Sequence, residues 1–170
     1  LDMTSGTAME SMVYSYPEGL SISTRYVSLD DKIYIIGGCY GQATKNIYIF
    51  DATNSTYKKS SLQLNQDRCD HALFVIDKKI YIVGGSSSPT TAEVFDTEAG
   101  TITPCFNAIP NGRVSSSGTS YNGIGYVIGG MNDSEIAISN DKFILKFDPT
   151  TEVWTETGID NLAAFVSYLG

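Results

Sequence analysis

The chain is short of the residues that catalysis and metal binding draw on. Among 170 residues there is one histidine, His71. A Ser-His-Asp triad would have to use it, and no second histidine exists to complete a zinc or copper site. No serine sits in a G-x-S-x-G elbow, and no G-x-G-x-x-G or G-x-x-x-x-G-K loop is present to cradle phosphates. Charged residues are sparse at 18%, and 11 basic against 19 acidic side chains give a net charge of −8. That balance argues against a nucleic-acid partner. No apolar run approaches the roughly 18 residues of a membrane span, so no membrane partner is expected. The leading residues LDMTSGTAMESMVYSYP show neither a basic start nor an apolar stretch, and no secretion signal is legible there. The three cysteines, Cys39, Cys69 and Cys105, match no disulfide or zinc spacing. Free thiols in a reducing, cytoplasmic compartment are the expectation, with no metal and no cofactor.

What is present is a globular composition, 42% hydrophobic, organised by repetition. KIYIIGG spans Lys32 to Gly38, KIYIVGG spans Lys79 to Gly85, and IGYVIGG spans Ile124 to Gly130. The Gly-Gly pairs begin at 37, 84 and 129, steps of 47 and 45 residues. Each pair is followed by an aromatic-Asp dipeptide: Phe50-Asp51, Phe95-Asp96 and Phe147-Asp148. Six residues beyond each Asp stands a large apolar residue, Tyr57, Ile102 or Trp154. Short β-branched and aromatic runs bounded by turn residues read as strands, four per copy. Four antiparallel strands recurring about every 45 residues describe a propeller blade.

These markers resemble the kelch repeat over residues 21–170. Ile102 departs from the aromatic residue usual at its position. The resemblance implies an all-β, kelch-type β-propeller with three complete four-stranded blades plus the inner strand of a fourth, a piece of a six-bladed ring. The blades run 21–67, 68–112 and 113–159. Residues 160–170 form the next inner strand, and 1–20 are a lead or the outer strand of a preceding blade. The Gly-Gly pairs read as structural, placed where strands crowd and a side chain would clash. Asp51, Asp96 and Asp148 open turns and are expected to accept backbone N–H bonds there.

In an antiparallel blade, the start of the first strand shares one end with the loop between the second and third. That end gathers Arg68, Asp70, His71 and Ser86 in one copy, Arg113, Ser115, Met131 and Asn132 in another, and Tyr40 in the first. The resemblance implies that this face binds partners, and that Arg68 and Arg113 can grip acidic groups of a ligand, as a planar guanidinium does. A salt bridge from Arg68 to Asp67 or Asp70 is the structural alternative. His71 reads as a hydrogen-bonded core residue.

Two functions follow. The first is a non-catalytic module that binds a protein or peptide through loops on one face, as a substrate-recruiting or scaffold domain. The second is a kelch-type carbohydrate-active enzyme, isomerase- or epimerase-like, with Arg68, Arg113, His71 and Asp160 converging on the central channel. An assembled pocket with shifted pKa values at that axis would favour the enzyme. Ring closure calls for further blades or pairing with another chain.

Overall fold

The computed structural model of the chain describes residues 23–158 apart from 106, 133, 135 and 139–141, with the backbone but not the side chain of Tyr40. The lead, 1–20, and the fourth inner strand, 160–170, lie outside the described residues, as does Asp160.

Three four-stranded antiparallel sheets follow one another along the chain. The first contains β1 (Arg25–Leu29), β2 (Lys32–Ile36), β5 (Ile47–Asp51) and β6 (Thr56–Lys59). Between β2 and β5 a small hairpin is formed by β3 (Cys39–Tyr40) and β4 (Gln42–Ala43). The second contains β7 (Ala72–Ile76), β8 (Lys79–Val83), β9 (Ala92–Asp96) and β10 (Thr101–Pro104). The third contains β11 (Ser117–Tyr121), β12 (Ile124–Ile128), β13 (Ile144–Asp148) and β14 (Val153–Thr157). Each is a meander, so each repeat folds into one blade. The first strands β1, β7 and β11 lie against one another. They form the inner edge of a partial propeller.

The burial pattern follows from where each blade sits. In β8, Ile80 and Ile82 join Tyr34, Ile36, Ile47, Leu73 and Phe95 in the core between the first two blades. The alternate residues Tyr81 and Val83 join Phe74, Val127, Leu145, Phe147 and Trp154 in the core between the second and third. β8 is covered on both faces, and its residues after Lys79 are all apolar and buried. Strands β2 and β12 each face one core, and their burial alternates. Each fully buried Ile contributes about 1.5–3 kcal/mol.

The Gly-Gly pair is the seam between blades. Gly38 N–H donates to the Arg68 carbonyl at 2.8 Å, and Gly85 N–H donates to the Arg113 carbonyl at 2.8 Å. At Gly84 the backbone is left-handed (φ +69°), and a Cβ would sit 2.1 Å from the Arg113 oxygen. Only glycine gives both the conformation and the approach. A second ladder runs beside the seam: Ser115 N–H donates to Asp70 O at 2.8 Å, and Asp70 N–H to Ser23 O at 3.4 Å. These three residues occupy the same repeat position and all have positive φ. At the opposite end the turn aspartates act as the sequence implies. Asp51 Oδ1 accepts from Thr53 N and Asn54 N, Asp96 Oδ1 from Glu98 N and Ala99 N, and Asp148 Oδ1 from Thr150 N. The bonds from Asn54 hold the Asp51 carboxyl below its ordinary range, and the bond from Thr150 N–H does the same for Asp148.

Candidate functional site

The end of the blades that carries the Gly-Gly seams also carries the inter-blade linkers and the long loops 37–46, 84–91 and 129–143. The arginines at its base point inward. Arg68 is fully buried, and its Nε donates to Glu93 Oε1 at 2.8 Å. Its Nη1 donates to the carbonyls of Gly84 (2.7 Å), Thr91 (3.1 Å) and Ser88 (3.3 Å), and Nη2 donates to Thr91 Oγ1 at 2.8 Å. Every acceptor except Glu93 belongs to the 84–91 loop. The guanidinium is therefore a pin that fixes the loop's backbone from beneath. Burial draws the Arg68 pKa down, and the Glu93 charge opposes that shift.

Arg113 repeats the arrangement with different partners. It is fully buried, and donates from Nη1 to Gly112 O (2.7 Å) and Pro110 O (3.2 Å), and from Nη2 to Lys142 O (3.1 Å). Its acid is Glu156 of β14, 3.4 Å away, where Arg68 uses Glu93 of β9. The expected contact of Arg68 and Arg113 with an acidic partner is corrected by this geometry. Both side chains have no exposed surface, and apart from Arg113 Nε, which has no partner, their nitrogens donate to carbonyls, a hydroxyl and carboxylates of the chain itself. The acid beside Arg68 is also neither Asp67 nor Asp70. Asp70 instead lies 3.7 Å from Arg25, whose Nε donates to the His71 carbonyl at 3.0 Å.

His71 is in the core but is not hydrogen-bonded: it is fully buried, and neither ring nitrogen has a protein partner. Burial, then the charges of Arg68 and Arg25, pull its pKa down to about 3, so it is neutral near pH 7. It lines a cavity of about 170 Å³ with Arg25, Tyr26, Ala72, Leu73, Ser116, Ser117 and Gly118, at the starts of the inner strands. The Ser116 hydroxyl, at the same repeat position as His71, is likewise buried without a partner. The cavity gathers one neutral imidazole, hydroxyls and a cation. Among the described residues no carboxylate lines it.

The remaining expected contact residues sit at or near the surface. Ser86 is exposed, with Oγ 2.9 Å from Cys69 Sγ. Met131 and Asn132 are half-buried at the base of the third loop, and Ser115 is exposed. Asn132 Oδ1 accepts from Ser134 N and Ile136 N, both at 2.9 Å, and holds a turn that leaves Ile136 63% exposed. Tyr40 lies in the β3–β4 hairpin on the same end, and its side chain is outside the description. The sequence reading missed Glu93, Glu156 and Ile136. A lone Glu inside the apolar run AEVF was a signal for a buried ion pair, whereas the loop geometry that exposes Ile136 left none.

The cysteines depart from the reading of three free thiols. Cys39 and Cys69 form a disulfide with Cα atoms 5.6 Å apart, joining the residue after the first Gly-Gly pair to the residue after Arg68. Their 30-residue separation matches no sequence framework because the bond crosses between two blades. Asp70 Oδ lies within 4.8 Å of both sulfurs, but sulfurs bonded to each other are not thiolate ligands. Cys105 remains free, and burial pushes its thiol up to about 11.

The family profile for the kelch motif matches this chain twice, at residues 24–60 and 67–101. These matches cover the first blade and most of the second. A curated protein of Caenorhabditis elegans, spermatocyte protein spe-26, is 34% identical over 134 residues. That alignment takes in 75% of this chain and 24% of the relative, so the chain spans about a quarter of that protein's length. No helix among the described residues is long and apolar enough to cross a membrane.

Proposed function

The chain belongs to the kelch-repeat family, and on that premise we propose that it is a non-catalytic protein-interaction module that recruits or scaffolds a protein through the loops of its seam-bearing end. Kelch repeats generally mediate protein–protein interaction, and proteins of the family are typically not enzymes. The observation that carries the reading is how the loops are built. Arg68 pins 84–91, Arg113 reaches 142, and Asn132 fixes the turn beneath Ile136. Loops ordered from below, with an exposed apolar side chain at the tip, suit a protein partner. Ser86, Ser115, Met131, Asn132 and the Tyr40 hairpin supply the rest of the surface. An acidic partner loses its rationale, because the two arginines that would attract it are committed inside.

The module works in the cytoplasm as part of a larger ring. Ile128 is exposed, on the face of the third blade opposite Val127, which packs towards the central blade, and a further blade covers it. The test is affinity for a partner purified with the full-length protein. Ile136→Asp is expected to weaken it at least tenfold, and Glu98→Lys at the opposite end to leave it unchanged. Equal affinity for the two variants would reject the loop face.

A further inference from the structure

We propose that Cys39 and Cys69 are a redox modification site: a disulfide that staples the first face loop to the second blade and opens by exchange with a dithiol. The inference rests on the loop-face reading for its consequence, but the chemistry stands on the seam. Cys39 begins the β3–β4 hairpin and Cys69 follows Arg68, whose carbonyl accepts the Gly38 N–H. At the next seam the same two repeat positions hold Ser86 and Val114. The backbone bond there is the same, Gly85 N–H to Arg113 O at 2.8 Å, and no sulfur is involved. The fold therefore does not need the cross-link to close a seam, and its effect falls on the hairpin.

That hairpin is tied at its far end by backbone bonds. Thr44 N–H donates to Gly38 O at 2.9 Å, and Arg68 N–H donates to Thr44 O at 3.1 Å. At the near end the disulfide adds a covalent tether to the second blade beside the Gly38 N–H bond to Arg68 O. The turn between is Gly41 (φ +75°), with no atom within 4 Å of its Cβ position, so the tip packs on nothing at that point. Breaking the sulfur bond releases the one covalent anchor and leaves the hairpin held by those backbone bonds. In a reducing cytoplasm a disulfide of this kind is transient and regulatory rather than permanent.

Access sets the direction of exchange. Cys39 is half-buried, and Cys69 is 5% exposed. An incoming thiolate attacks Cys39 Sγ, the Cys39–Cys69 bond breaks, and Cys69 leaves as a thiolate beside the Ser86 hydroxyl 2.9 Å away. The thiolate takes up a proton from solvent. The second thiol of the reagent then attacks the mixed disulfide, frees Cys39, and leaves as a cyclic disulfide. Two electrons pass from dithiol to cystine.

The experiment uses the full-length protein, purified without reductant and then treated with dithiothreitol. Alkylation with mass readout is expected to label Cys39 and Cys69 only after reduction. Hydrogen exchange of the amides at 39–43 is expected to speed at least tenfold on reduction, while those of β8 stay protected. The Cys39→Ser variant is expected to show the fast exchange without reductant. Should that variant not fold, reduction of the native chain gives the same comparison. Both thiols alkylating before reduction would overturn the proposal, and so would unchanged exchange at 39–43. A bound divalent cation whose removal frees both thiols would replace the disulfide with a metal clamp. None of these readouts needs a partner, so they fail or succeed independently of the interaction role.

Discussion

Arg68 Nε and Glu93 Oε1 meet 2.8 Å apart with no more than 1% of either side chain exposed, and between them they tie a linker, a strand and a loop together. Glu93 also accepts from Asn65 N, Asn65 Nδ2 and Gln66 N. The carboxylate thus fixes the entry to the blade while the guanidinium fixes the 84–91 loop. A buried pair with its hydrogen bonds filled tolerates desolvation, but one partner left alone does not.

Glu93→Leu is therefore expected to destabilise the protein by about 3–5 kcal/mol in chemical denaturation, through an unpaired buried cation. Adding Arg68→Met to it should recover part of that loss, because the stranded charge goes with it. A double variant as unstable as the sum of the two single variants would show that the pair is not coupled.

Gly84 and Gly123 separate two effects of a methyl group. Both have φ near +70°, but only Gly84 has a carbonyl oxygen in the place of a Cβ, while Gly123 has open space. Gly123→Ala should cost about 1–2 kcal/mol for left-handed backbone alone. Gly84→Ala should cost at least about 1–3 kcal/mol more, since the seam must part. Thermal unfolding of the two variants gives the comparison, and equal losses would mean that the seam yields without cost.

His71 gives the stability a pH dependence of defined sign. Its folded pKa, about 3, lies below the ordinary 6.5. As pH falls below 6.5 the unfolded chain takes up a proton that the folded chain refuses until near pH 3. Stability therefore declines across that window, with a slope approaching about 1.4 kcal/mol per pH unit. His71→Leu should flatten the slope between pH 6 and 4 in urea titrations. An unchanged slope would assign it to the carboxylates instead.

The blades were legible because repetition reports itself three times: Gly-Gly, Phe-Asp and the apolar residue beyond it each keep register. The two-sided burial of β8 was not legible, because KIYIV of β8 and KIYII of β2 read alike while β2 faces one core. The site was less legible. A guanidinium at the start of an inner strand looks the same in sequence whether it points to solvent or to Glu93. The acid that answers Arg113 lies 43 residues on, in a different strand from the one that answers Arg68, so the repeat does not predict it. The Cys39–Cys69 bond crosses a seam that spacing along one chain does not encode. Ile136 is exposed in a turn that Asn132 Oδ1 holds, and no spacing in the sequence announces it.

The account turns on which end of the blades meets a protein. A photo-crosslinking residue placed at Ile136 in the full-length protein, and in a second sample at Glu98, compares the two ends within one fold. The account predicts covalent capture of the same partner from position 136, at least tenfold above position 98, and loss of that capture when Ile136 is replaced by Asp in a sample carrying the crosslinker at Ser86. Capture from position 98 with none from 136 or 86 would contradict it.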